Sequence, residues 1–240
     1  MKRALILKHV LVKAFAIPPA EIRAKWTVQE MAQFGELLKP VVSTLKEARI
    51  WSEAEQGERE FLQAGIDQVT PQQIIDASWL AESICCLLWA VQLVPEIPAY
   101  DEEANPDLVN AIPAKTGVKE LIWKVRYRPR EEIKKQREVA ELWHWRARTR
   151  RLQEEGQLSG IYNGMTIEQV IESSALKGAA EGILPDPIGS DFSAWGKPYR
   201  EASTEEFAKL TSIAQERHKA LNWLCGYSPT GKWSDTPTGT

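Results

Sequence analysis

Helix starts are written into this chain of 240 residues: Thr27 with Glu30, Ser52 with Glu55, Thr166 with Gln169, and Ser203 with Glu206 each place a hydroxyl side chain three positions ahead of a carboxylate or amide. Each pair can form a capping box, in which the hydroxyl accepts from a backbone N–H of the first helical turn while the acid or amide reaches back to the capping residue. Thr70-Pro71, Asn105-Pro106 and Arg128-Pro129 mark further helix starts, because proline at the first helical position gives up a donor that has no partner anyway. Between these signals apolar residues recur three and four apart, and no strand pair is convincing. The pattern predicts helices over 2–16, 19–35, 40–48, 52–64, 71–94, 106–111, 117–125, 129–155, 166–181 and 204–225. Clustered Pro, Gly, Asp and Asn make 95–116 and 183–202 long surface loops. Internal repeats and a glycine-rich linker are absent from the sequence. The fold class that follows is all-α, a single compact multi-helix domain over 1–240 with two long surface loops. The Trp89 helix is its expected buried centre.

Charge narrows the function. The net charge is −3 with a pI near 5.8, but 124–151 carries eleven Lys/Arg against four Glu, leaving 19 basic and 29 acidic residues elsewhere. A basic helical stripe on an acidic body points to an acidic protein partner or an anionic ligand, while the acidic whole argues against nucleic acid. Ten Trp make the chain tryptophan-rich. Cys85, Cys86 and Cys225 are odd in number and lack C-x-x-C spacing, so reduced thiols and a cytoplasmic location are expected, with no signal segment and no membrane span. The three histidines, His9, His144 and His218, fit no zinc spacing; no metal and no cofactor is expected. Phosphate-loop, dinucleotide and nucleophile-elbow motifs are missing.

Three constellations carry chemistry. Ser78, Glu82, Cys85 and Trp89 share one face of a continuous 71–94 helix within the most apolar run, which buries Glu82. A buried carboxylate either serves as a general acid or base with a raised pKa, or closes a structural network by capping a loop or binding an arginine, with Arg217 or an arginine of 124–151 as partner. In the 129–155 helix, Trp143, His144, Trp145 and Arg146 pair indoles with guanidinium, which suits anion recognition; the alternative is a solvated basic face. In the last helix Arg217 precedes His218, and His218 stacks one turn before Asn222, with Glu216 and Trp223 on another line and Asp235 in the tail. Those residues provide acid–base or binding groups, or a packed histidine at a helix end.

Ser78-Trp79-Leu80-Ala81-Glu82 leading to Leu87-Leu88-Trp89-Ala90, Arg128-Pro129 with Glu132-Ile133, Leu142-Trp143-His144-Trp145-Arg146, Glu216-Arg217-His218 with Ala220-Leu221-Asn222-Trp223-Leu224, and Trp233-Ser-Asp-Thr together resemble the family called domain of unknown function 4272. The resemblance implies a bacterial protein in which these blocks belong to one compact unit, and it implies no activity. The family pattern tends to close on an acid where this chain has Gly239.

Two functions follow. The first is a non-catalytic binding or interaction module that uses the basic Trp/Arg helix (Trp143, His144, Trp145, Arg146) and the C-terminal segment (Glu216, Asn222, Trp223, Asp235). The alternative is a small-molecule enzyme, acid–base or hydrolytic, with Glu82, Arg217 and His218 in a cleft.

Overall fold

The computed structural model describes residues 1–113, 118–158, 160–162 and 164–239, with the backbone alone at 118, 119, 122 and 162. The fold is all-α apart from two ribbons of two-residue strands. The residues group into two compact units: 1–97, 104–128 and 232–235 in the first, and 98–103, 129–231 and 236–240 in the second. Among the described residues no helix is long and apolar enough to cross a membrane.

The first unit holds α1 (Lys2–Ala16), α2 (Ala20–Arg23), α3 (Val28–Glu47), α4 (Gln56–Gln63), α5 (Pro71–Ser78), α6 (Leu80–Ala90) and α7 (Val118–Lys124). A helix that is buried on most of its sides is enclosed by others. That describes both α1, buried at nearly every position from Ala4 to Leu11, and α6, buried from Ala81 to Ala90; α1 packs on α3, α4, α5 and α6.

Five boundaries depart from the sequence pattern. The 19–35 segment breaks after Arg23, and Thr27 opens a new helix with the expected capping box on Glu30. That helix then runs through Pro40 to Glu47; α3 is buried only at Thr44 and Leu45, so the backbone group that proline leaves unpaired can be hydrated. Ser52 lies in a 3-10 turn instead of capping a helix; Glu55 caps α4, with Glu58 completing the box. The 71–94 helix is two helices, divided at Trp79, where Trp79 accepts from the Glu82 N–H at 3.0 Å. Ser78 is thereby separated from the Glu82, Cys85 and Trp89 face, and its hydroxyl turns back to the Ile75 carbonyl at 2.7 Å. No Gly or Pro marks that division. α6 stops at Ala90 because Gln92 takes a left-handed conformation (φ 61°), which lets the Leu93 N–H return to the Leu88 carbonyl at 2.9 Å.

The second unit is organised by α8 (Arg130–Glu154) and α10 (Thr204–Leu224), which pack along each other. The ribbon β1 (Ile161–Tyr162) and β2 (Met165–Thr166) leads into α9 (Ile167–Ala180), whose Thr166–Gln169 box forms as expected, as does Ser203–Glu206 on α10. Within 183–202, β3 (Ser193–Ala194) and β4 (Lys197–Pro198) form a hairpin. Its two turn residues, Trp195 and Gly196, both have positive φ, 50° and 71°, as a two-residue primed turn demands. Tryptophan is a poor advertisement for that turn, which is why the sequence pattern showed only a loop.

Candidate functional site

Most of the expected site residues are consumed by the fold. Trp143 is 3% exposed, stacked on Tyr100 at 5.2 Å and met edge-on by Phe192 at 5.6 Å. Arg146 is 1% exposed; its Nε and Nη2 donate to the two carboxylate oxygens of Asp191 at 2.7 and 2.8 Å, and its guanidinium lies 4.7 Å from the Tyr199 ring centre. Asp191 also accepts from the backbone N–H groups of Phe192 and Arg200. The 183–202 segment is therefore a clamp on a buried arginine, and the Trp143–Arg146 side of α8 faces inward. Trp145 is half-buried against Phe192. Asp191 was not singled out by sequence spacing; its only sign was an acid in a loop facing a helix with an arginine among apolar neighbours.

Arg217 is fully buried and spends its donors on the backbone carbonyls of Pro98, Ala99 and Glu102, with its guanidinium 4.8 Å from the Tyr100 ring centre. It thus fixes the course of 98–103. Glu82, 1% exposed in the first unit, accepts from the Ala104 N–H at 2.7 Å. In the closing segment, Trp223 Nε1 donates to the Gly231 carbonyl at 3.1 Å, Glu216 is half-buried, and exposed Asp235 accepts from the Ser234 hydroxyl. Trp233 is buried because Glu55 accepts from its N–H and from that of Ser234. Burial pushes the Glu55 carboxyl up, but those hydrogen bonds and the Arg3 charge outweigh it and hold it below the usual carboxylate range.

A different arrangement joins two histidines. His144 on α8 and His218 on α10 meet Nδ1 to Nδ1 at 3.0 Å, and His218 Nε2 lies 2.9 Å from Asn222 Nδ2. The hydrogens can be assigned from the outer partners. Arg137 Nε can only donate, so the Asn222 atom 2.8 Å from it is the carbonyl oxygen; the Pro237 carbonyl can only accept, so the atom 2.8 Å from it is the amide nitrogen. Asn222 therefore spends one hydrogen on Pro237 and the other on His218 Nε2. His218 must carry its own hydrogen on Nδ1 and donate it to His144 Nδ1, which leaves His144 as the Nε2–H tautomer. That N–H has no hydrogen-bond partner among the described residues, and the His144 ring lines a groove of about 350 Å³ between α8 and α10. Both rings are neutral near pH 7: burial, then the Arg148 and Arg151 charges, lowers His144 to about 4, and burial, then His144 and Arg137, lowers His218 to about 4.

The groove is also lined by exposed Arg148 and Arg151, by the apolar surfaces of Ala147, Phe207 and Ala208, and by Thr204, Ser212 and Gln215. Arg148 makes no ion pair among the described residues, and Arg151 only a distant one to Glu155 at 4.0 Å. Phe207 is held by the Arg150 guanidinium 4.4 Å from its ring centre. No carboxylate lines the groove. A larger cavity, about 600 Å³ beside α3 and α4, has Lys13 as its one buried charge, and all three Lys13 donors are spent on the carbonyls of Phe61, Leu62 and Ala64. Size alone therefore does not choose the site. Among the described residues no group of three or more His, Cys, Asp or Glu is placed to hold a metal ion.

An all-helical protein with an unspent imidazole donor beside two guanidinium groups is thus the class that fold and site define. The chain belongs to the family described as Domain of unknown function (DUF4272), whose match covers residues 1–171. The blocks at 78–90, 128–133 and 142–146 lie inside that match, while His218, Asn222 and the closing segment lie beyond it. No curated protein and no solved structure matches the chain.

Proposed function

We propose that this protein is a non-catalytic binding module whose ligand is a small molecule bearing a phosphate or carboxylate, taken up in the groove between α8 and α10. One observation supports the proposal: the Arg137–Asn222–His218–His144 chain fixes the tautomers of both rings and leaves the His144 Nε2–H unspent at the groove beside Arg148 and Arg151. A neutral N–H and two guanidinium groups supply directed donors and charge to an oxyanion. Ala147, Phe207 and Ala208 give its organic part an apolar wall. A volume of about 350 Å³ sits at the small end of ligand pockets and suits one small metabolite better than a dinucleotide or a partner helix.

The chemistry favours holding over turning over. His144 Nδ1 is occupied and Nε2 carries its hydrogen, so the ring offers no free lone pair to act as a base. The Thr211 hydroxyl donates to the Phe207 carbonyl at 2.8 Å. The basic helix of the sequence thus recognises its ligand with Arg148 and Arg151, and not with Arg146. Within the same proposal the chain acts as a cytoplasmic bacterial protein, consistent with its cysteine spacing and acidic pI.

A thermal-shift screen of nucleoside monophosphates, sugar phosphates and dicarboxylates tests this, since a ligand at 100 times its Kd adds about 2.7 kcal/mol of stability. A hit that is lost in an Arg148→Ala/Arg151→Ala protein is the expected result. A hit retained by that protein, or silence across the panel, overturns the proposal; conversion of a hit into product replaces it with the enzymatic alternative.

A further inference from the structure

The hydrogen-bond chain that ends at His144 has a second end. Arg137 lines another cavity, of about 380 Å³, together with Arg130, Lys134, Glu138, Cys225 and Tyr227. We infer that this cavity is a second oxyanion site, and that its occupancy is felt at His144 through Arg137, Asn222 and His218.

Three cations face a single carboxylate, Glu138, in that lining. Arg137 is oriented from three sides: Nε donates to Asn222, Nη2 donates to Glu141 at 2.8 Å, and the guanidinium lies 4.3 Å from the Tyr227 ring centre. Its Nη1 makes no hydrogen bond among the described residues and is left for a ligand. Gly226, at φ +81°, allows the chain to turn after α10 so that Tyr227 lies over Arg137, a conformation a side chain at that position would resist. Among the described residues Lys134 is engaged only by Glu131, at 3.0 Å and largely exposed, the kind of pair that an incoming anion displaces at little cost. Cys225 adds no competing negative charge: burial raises its thiol above the usual value, against the pull of Arg137, Arg130 and Lys134. The site therefore offers directed N–H donors, net positive charge and an aromatic edge, the chemistry that recognises phosphate and carboxylate.

Coupling follows from commitment. Asn222 has both hydrogens assigned and one carbonyl oxygen on Arg137 Nε, so an anion that draws Arg137 toward itself changes the field on the amide that fixes the His218 tautomer. The His144 Nε2–H over the first groove depends on that tautomer.

The test uses the full chain carrying Arg148→Ala and Arg151→Ala, which removes the first site's cations, with ¹⁵N-labelled histidine and arginine. Only three histidines are present, so His144 is assigned by comparison with single His→Gln variants. Inorganic phosphate, and separately citrate, is titrated in. The expected result is a saturable shift at Arg137 Nε that also appears at the His144 ring nitrogens, with a midpoint raised about tenfold or more by adding Arg130→Ala and Lys134→Ala. Saturation at lower phosphate than citrate assigns a phosphate ligand, and the reverse a carboxylate. No saturable shift at Arg137, or one indifferent to Arg130 and Lys134, overturns the site; a shift that stops at Arg137 overturns the coupling. Because the first groove is disabled throughout, its own screen stands or falls separately.

Discussion

Lys13 in the first unit and His144 in the second are both pushed down by burial, Lys13 to about 8 and His144 to about 4, yet they differ in what they have left to give. Lys13 lines the larger cavity, but its three hydrogens go to three carbonyls at 2.7, 3.1 and 2.7 Å, closing the turn after α4. His144 lines a smaller groove, and its Nε2–H has no hydrogen-bond partner among the described residues. A perturbed pKa marks desolvation, and desolvation serves structure and function alike. The unspent donor separates the two. Arg217 falls on the Lys13 side of that comparison, with the 98–103 carbonyls as its partners; Arg146 is closed there by its two-pronged pair with buried Asp191, although its Nη1 makes no hydrogen bond among the described residues.

The sharpest way to break the comparison is to open a closed cluster. Asp191→Ala strands a buried guanidinium and releases the hairpin backbone at Phe192 and Arg200. A loss of about 3–5 kcal/mol is expected in urea unfolding, the usual cost of removing one partner of a buried pair. A loss below about 1 kcal/mol would place Arg146 in contact with water and remove it from the closed class.

Lys13→Met comes next. It strands three carbonyls at once but leaves them beside a cavity that water can enter, so the expected loss is smaller, about 2–3 kcal/mol. Ligand-induced thermal shifts at the α8–α10 groove should survive in this variant. Their disappearance would show that Lys13 serves function as well as structure.

The third effect is a dependence on pH. The folded pKa of each relay histidine, about 4, lies below the ordinary value of 6.5, so between those limits the unfolded chain binds more protons and stability rises with pH. The contribution is complete above about pH 6.5 and is lost as pH falls toward 4. Allowing for screening at the groove, the pair accounts for on the order of 2 kcal/mol. Protonation also conflicts with the relay: a second hydrogen on His144 Nδ1 would face the His218 Nδ1–H, and the Asn222 amide cannot reverse to compensate because Arg137 and Pro237 hold it. Unfolding curves at pH 7 and pH 5 read this directly, and a flat profile would mean that the rings titrate as if in water.

Local periodicity carried much of this structure and little of its chemistry. α1 was legible from residue 2 to residue 16, and α8, α9 and α10 to within a residue or so, because caps and apolar spacing are written in neighbouring positions. The same logic put His218 and Asn222 one turn apart. It could not supply His144, 74 positions away from His218, because the meeting of two nitrogens depends on how α8 and α10 are set against each other and not on spacing within either. Nor could it supply Asp191 or the Pro237 carbonyl, which act from loops. The Trp143–Arg146 face, where indole and guanidinium suggested recognition, turned inward for the same reason: an arginine with a buried carboxylate partner reads, in sequence, like any other cation. Arg148 and Arg151, two and five positions further on, point out.

The smallest expected effect on stability comes from the residues placed at the site itself. Arg148 and Arg151 are exposed, and among the described residues Arg151 has only the 4.0 Å ion pair to Glu155, so replacing both by alanine should change unfolding free energy by no more than about 0.5 kcal/mol. The double change should also relieve two positive charges that depress His144, raising its pKa from about 4 and shrinking the acid-side slope described above. Anion binding in the groove should meanwhile fall about tenfold or more, as expected when charged partners of an oxyanion are removed. A closed cluster loses stability and leaves ligand binding intact; an open one does the reverse. If the Arg148→Ala/Arg151→Ala protein instead loses several kcal/mol while keeping its ligand shift, the groove belongs with Lys13 and Arg146, and the unspent hydrogen of His144 is only a solvated edge of the core.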